Sequence, residues 1–198
     1  MSHSCFLGLD DGYFDVQIKR LGKQSETYLV GVVTCPHTVA NILLKYVTID
    51  GLDGTTKALE VIDEASSLHM IKSIFLDGVT YAGFNLVNPY RIYEISSIPV
   101  VVIFRYDLDL NKILLALKKH FKDYRFRYPI IEQTYKASRI LYLSKNTKLR
   151  YTAIGISVSE TENLLYNLCK PFLYPYPLYL ADRIASALGR IKFGLFHK

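Results

Sequence analysis

Between Lys45 and Phe104 the sequence reads as strand, helix, strand, helix, strand, and that alternation limits the fold more than any other feature. Lys45 to Ile49 is a short β-rich run. Thr55 to Ala65 places Ala58, Leu59, Ile62 and Ala65 at helical spacing. Ile71 to Leu76 is a short apolar strand, Asn88 to Ile95 fits a short helix with Pro89 in its first turn, and Pro99 to Phe104 reads as a buried strand. Strands joined through helices pair in parallel with right-handed crossovers. Upstream, Cys5 to Leu9, Thr27 to Cys35 and Val39 to Ile49 are separated by stretches too short for helices, which implies an antiparallel meander. A meander feeding a crossover unit predicts an α/β fold with a mixed central sheet and flanking helices.

The later sequence is less regular. Leu110 to Phe121 is predicted helical, with Asp109 as N-cap and the basic tail Lys118-Lys119-His120 suited to a helix C-terminus. Tyr128 to Ala137 is a further candidate helix. Ile140 to Leu143 and Thr152 to Val158 read as strands, and Glu160 to Cys169 and Leu178 to Leu188 as helices. The aromatic, proline-rich stretch from Pro171 to Pro177 is expected to pack onto the body.

The 198 residues suit a single domain spanning 1–198, and half of them are hydrophobic, which excludes a disordered chain. No apolar stretch reaches the roughly 18 residues that a membrane helix needs, and no secretory signal is expected. Cys5, Cys35 and Cys169 are odd in number and widely spaced, so free thiols and a reducing, cytoplasmic setting are expected. The five histidines, His3, His37, His69, His120 and His197, show no ligand spacing. A net charge of +6 suits a polyanionic partner such as nucleic acid, although an ordinary lysine-rich surface produces the same balance.

The chemistry is expected at aspartates. Asp10 and Asp77 each end an apolar strand and precede a turn, in LGLDDG and IFLDGVTYAG. Functional groups in α/β sheets collect at the carboxyl ends of strands. Two carboxylates there repel unless a cation or proton lies between them, and hard oxygen ligands favour Mg2+ or Mn2+. Asp53, with Asp50 behind it, lies between strand and helix and can reach the same end. Three such carboxylates would make a phosphoryl-transfer site. Asp followed by Gly is also ordinary turn chemistry, and Asp11 and Asp15 are weaker candidates. Tyr81, Gly83, Phe84 and Asn85 form a loop in which aromatic rings could stack on a base, and Arg105 could hold a phosphate.

The segments LGLDDGYFD, VTIDGLDGTTKALEVI, IFLDGVTYAGFN, IPVVVIFR and PLYLADRIASALGR, in that order, resemble the archaeal endonuclease dU family, a relative of endonuclease V with a ribonuclease H-like fold. The resemblance implies a metal-dependent endonuclease (a hydrolase of DNA repair) acting on DNA, or RNA, that carries a deaminated base, by the family's name deoxyuridine. Asp10 and Asp77 match the first and third carboxylates of endonuclease V. The second, a Glu there, is absent, and Asp53 is the nearest substitute. Arg105 stands where endonuclease V has a Lys. A fourth carboxylate from the last helix would be Asp182. The missing Glu also leaves open a non-catalytic module that binds nucleic acid or a protein. Neither reading specifies the oligomeric state.

Overall fold

The computed structural model describes residues 4–15, 25–35, 38–170 and 172–194. Seven strands form one mixed sheet: β1 (Cys5–Asp11), β2 (Glu26–Thr34), β3 (Val39–Thr48), β4 (Ile71–Asp77), β7 (Val100–Phe104), β8 (Arg139–Tyr142) and β9 (Lys148–Ile154). Their order across the sheet is β3-β2-β1-β4-β7-β9-β8. The pairs β3/β2 and β2/β1 are antiparallel, as the meander requires. The pairs β1/β4 and β4/β7 are parallel; the crossover after β4 leads to its neighbour β7, whereas the one after β3 carries the chain past β2 and β1, so the strand expected from Lys45 does not pair with β4. Strands β9 and β8 add antiparallel to β7. A two-stranded ribbon, β5 (Thr80–Tyr81) and β6 (Asn85–Leu86), follows β4.

Six helices are described: α1 (Gly54–Leu68), α2 (Pro89–Ser96), α3 (Leu110–His120), α4 (Tyr124–Lys136), α5 (Val158–Leu168) and α6 (Tyr176–Lys192). Their ends follow local chemistry. The Asn88 side chain accepts from the backbone N–H groups of Tyr90 and Arg91 at the start of α2, Asp109 accepts from that of Lys112 in α3, and Ser157 and Glu160 form a reciprocal capping box on α5.

The period of two along each strand sorts the core into two layers. Leu7, Leu9, Leu29, Ile74, Leu76, Val100 and Val102 share one cluster with Ala58, Val61, Ile62 and Ala65 of α1. The alternate residues Phe6, Phe75, Val101 and Ile103 pack with Leu165 and Leu168 of α5 and Leu178 of α6, while Val30 and Val32 meet Ala181 and Ala185 of α6. Helices α5 and α6 therefore cover the face on which Asp10, Asp77 and Arg105 fall by register. Gly8 is what lets α6 come so close, since a Cβ there would lie 2.4 Å from the Leu178 backbone nitrogen.

Three expectations need correction. The helix expected from Tyr128 begins earlier, at Tyr124, and carries Pro129 inside it, while the strand expected from Thr152 to Val158 runs from Lys148 to Ile154. Cys5 and Cys35 are joined as a disulfide, because pairing of Phe6 with Thr34 sets them opposite one another across β1 and β2. Free Cys169 is buried. No helix among the described residues is long and apolar enough to cross a membrane. His3, His37, His197 and Pro171 lie outside the described residues.

Candidate active site

Strands β1 and β4 run side by side with Leu9 opposite Leu76, so the next residues, Asp10 and Asp77, end adjacent parallel strands on the same face. Helix α6 crosses that face and contributes Asp182. Arg105, just past β7, reaches all three: its Nε lies 2.5 Å from Asp77 Oδ2, Nη1 3.3 Å from Asp182 Oδ2 and Nη2 3.6 Å from Asp10 Oδ2. The three carboxylates thus lie within reach of one guanidinium. The ring of Tyr174, in the aromatic stretch before α6, sits under Arg105 with its centroid 4.6 Å from the guanidinium carbon. The stretch does pack onto the body, and it does so at the site.

The local hydrogen bonds aim the acids. The Asp11 N–H donates to Asp10 Oδ1 at 2.8 Å, which leaves Asp10 Oδ2 towards Arg105. The Tyr81 hydroxyl donates to the Leu9 carbonyl at 2.9 Å and accepts from the Asp77 N–H at 3.0 Å, bracing the two strand ends against each other. Asp11 points to the opposite face, where its Oδ2 accepts from the Ala82 N–H.

This is a charge-strained place. Burial, then the charges of Asp77 and Asp11, hold the Asp10 carboxyl well above the usual carboxylate range. Burial also raises Asp77, with Arg105 pulling the other way. Burial, with Asp77 and Asp182 adding to it, pushes Asp11 up to about 7 despite the hydrogen bond from Ala82. Burial raises Tyr81 far above the normal phenol range, so its hydroxyl stays neutral and donating. The Tyr174 hydroxyl is buried beside Asp77 and Arg105, and burial with the nearby acids raises it far above the normal phenol range.

Other candidates sit elsewhere. The Asp53 carboxylate accepts from Thr48 Oγ1 at 2.9 Å, from the Thr48 N–H and from Asn85 Nδ2 at 2.5 Å. Those contacts hold it in the loop before α1. Asn85, fully buried, also donates to the Thr48 carbonyl and accepts from the Gly54 N–H, capping α1 from outside. Asp50, at positive φ, accepts from the Phe84 N–H and donates its own N–H to the Ala82 carbonyl. Asp11 and Asp50 together hold Ala82, itself at positive φ and strained there.

Tyr81 has no exposed surface, so its ring has no face open to a base, which corrects the expectation of a stacking platform. Phe84 is partly buried, edge-on to Phe121 at 5.5 Å, and Gly83, at positive φ, turns the ribbon. Sequence reasoning did not single out Tyr174 or Arg127. Arg127 is buried and spans Asp123, the Gly51 carbonyl and the Phe84 carbonyl, locking this loop to α4. An arginine in the first turn of a helix carries no sequence signal of such reach.

At the same end of the sheet, but on the face of Phe104, Tyr106, Ile140, Lys148 and Arg150 line a shallow groove that reaches Arg105. Lys148 and Arg150 are partly neutralised there by Asp107.

Comparison with known proteins identifies relatives along nearly the whole chain. The family model described as endonuclease dU matches residues 3–189. A UPF0215 protein from Thermococcus sibiricus is 37% identical over 183 residues, which cover 92% of this chain and 90% of that protein. A crystal structure of a protein of unknown function from Archaeoglobus fulgidus superposes with a TM-score of 0.77 at 32% identity, covering 93% of this chain and 97% of that one. Endonuclease V from Ciona intestinalis, in complex with a DNA containing an inosine followed by a ribo-adenosine, is similar in fold at a TM-score of 0.60 and 11% identity, covering 98% and 87%.

Proposed function

The chain belongs to the endonuclease dU family, and from that premise we propose that it is an endonuclease that hydrolyses a phosphodiester of DNA near a deaminated base, deoxyuridine first among them. The observation that carries this reading is the convergence of Asp10, Asp77 and Asp182 on the single guanidinium of Arg105. Burying like charges together is costly and is found where a site must gather positive charge.

The donors are hard carboxylate oxygens, and they fit Mg2+ or Mn2+. Asp10, Asp77 and Asp182 would hold the ion. Bound there, it would supply Lewis acidity to the scissile phosphate and balance its developing charge. Arg105 would orient a phosphate oxygen through its Nη groups. Its charge is permanent, so it holds phosphate and does not shuttle protons. Tyr81 keeps the two strand ends at fixed spacing, and Asp53 with Asn85 and Asp50 shapes the flanking loop instead of binding the ion. The groove of Lys148 and Arg150 beside Arg105 offers cations along which a nucleic-acid backbone would run. The endonuclease V relative with DNA bound supports nucleic acid as the substrate class.

One observation favours a second reading. Arg105 already neutralises part of the cluster, as it would in a module that binds nucleic acid without cutting it. Cleavage of a panel of DNA and RNA oligonucleotides carrying uracil, hypoxanthine or no lesion, with and without Mg2+ or Mn2+, separates the two. The proposal expects ion-dependent cleavage of lesion DNA. Binding without cleavage under every ion would support the module.

A further inference from the structure

Three ligand-bearing side chains meet at the other end of β1, about 16 Å along the strand from Asp10. Cys5 begins β1, Cys35 follows β2, and His69 closes α1. The chain brings them together through its register and through the Cys5 N–H, which donates to the carbonyl of Met70, the residue after His69. The two Sγ atoms and an imidazole nitrogen all lie within 4.8 Å of one another. The Asn41 Oδ1 lies 3.2 Å from His69 Nε2, the kind of polar partner that orients a metal-binding imidazole. Cys5 is buried, whereas Cys35 and His69 are partly open to solvent, which provides a path of entry.

We propose that, once the Cys5–Cys35 bond is reduced, the two thiolates and the His69 imidazole bind a borderline-soft divalent ion of the zinc class, so that the same sulfurs alternate between a disulfide and a metal site. Two thiolates and an imidazole are a zinc donor set. Ligand atoms about 2.3 Å from a tetrahedral ion stand about 3.8 Å apart, inside the span already present here. The sulfurs must separate from bonded contact, which rotation of the partly exposed Cys35 side chain provides. The fourth position faces solvent and takes water. The carboxylate cluster selects hard ions, so the two sites sort metals by chemistry.

The conversion balances with a water-soluble phosphine. The disulfide gains two electrons and two protons to give two thiols, and the phosphine takes the oxygen of water to become its oxide. Metal binding then releases the two thiol protons.

The test uses the whole chain, reduced with phosphine, desalted without oxygen and titrated with Co2+. Thiolate-to-cobalt charge-transfer absorption in the near-ultraviolet is the readout, and cobalt on carboxylates is silent in it. The proposal expects the band of the reduced protein to saturate at one equivalent of Co2+ per chain beyond any held on the carboxylates, displacement of that band by Zn2+ and no band from the oxidised protein. Cys35→Ser removes the band, and His69→Ala and Asn41→Ala each weaken binding roughly tenfold or more. Asp77→Asn leaves it unchanged. Circular dichroism verifies the fold of each variant. No band from natively folded reduced protein would overturn the proposal, as would a band undiminished in His69→Ala. Unfolding on reduction would also overturn it and make the pair a structural crosslink.

Discussion

Asp77 and Asp53 look alike in sequence, each an acid before glycine in the segment that follows or ends a strand, yet they meet opposite fates. Asp53 is satisfied by neutral donors, a threonine backbone and hydroxyl and an asparagine amide, which are local or brought in by the β5/β6 ribbon. Asp77 has Asp10 and Asp182 for neighbours, and its described charge partner is Arg105. Hydrogen bonds from neutral groups complete a carboxylate's requirements and make it part of the scaffold. Gathered like charges leave a requirement that a cation meets. The difference between a structural and a chemical aspartate therefore lies in what surrounds it, and substitution at each tests that directly.

The largest effect is expected at the charged cluster. Asp10→Asn or Asp77→Asn should lower ion-dependent cleavage by roughly a thousandfold or more, the several kcal/mol that a catalytic ion contributes. Neither should lower the melting temperature measured without metal, because burial penalises each charge, with the neighbouring acids adding to it, more than Arg105 rewards it. Cleavage near the wild-type rate in either variant would make that residue another scaffold acid.

The second effect is on pH. Asp10, Asp11 and Asp77 have folded-state pKa values above their usual range, so the fold keeps protons that the unfolded chain releases. Their stabilising contribution is complete below about pH 4 and lost as pH rises through the folded values, about 7 for Asp11. Without metal, the melting temperature should fall by a few degrees between pH 5 and pH 8. Asp10→Asn should flatten that slope, and Mg2+ should restore stability at pH 8. A melting temperature that climbs with pH would contradict the charge strain.

Smaller effects belong to the scaffold. Asp53→Asn turns an acceptor towards the Asn85 amide into a competing donor, and should cost roughly 1–3 kcal/mol of stability. Cleavage under folded conditions should stay within a few-fold of wild type, as denaturant melts alongside rate measurements would show. Tyr81→Phe loses the bridge between Leu9 and Asp77. It should cost about 1 kcal/mol and leave the preference for a damaged base unchanged, since the ring is buried. A shift in lesion preference would return Tyr81 to the reading of the base.

Much of this was legible in the sequence. The meander followed by the strand-helix alternation from Lys45 to Phe104 implied parallel β1 and β4, and the acids ending those strands marked the candidate site. Arg105 was readable as a candidate because it ends a strand, whereas Asp182 came only from the family resemblance, which implies a carboxylate on the last helix. What escaped depends on register and packing between distant segments. The burial of Tyr81 follows from the ribbon folding down over β1 and β4. The Asn85 contact to Asp53 spans 32 residues. Cys5, Cys35 and His69 have no ligand spacing in sequence and acquire it from strand pairing and the end of α1. Local patterns report periodicity and turn chemistry, and they are silent about which side chain will satisfy which.

The central claim is that the Asp10–Asp77 cluster, and not the Asp53 loop, holds the catalytic ion. Calorimetric titration of Mn2+ into the oxidised wild type and into the Asp77→Asn and Asp53→Asn variants tests it most directly. The account predicts carboxylate-dependent binding that is lost in Asp77→Asn and kept in Asp53→Asn. Binding that survives in Asp77→Asn, or that disappears in a folded Asp53→Asn protein, would contradict it.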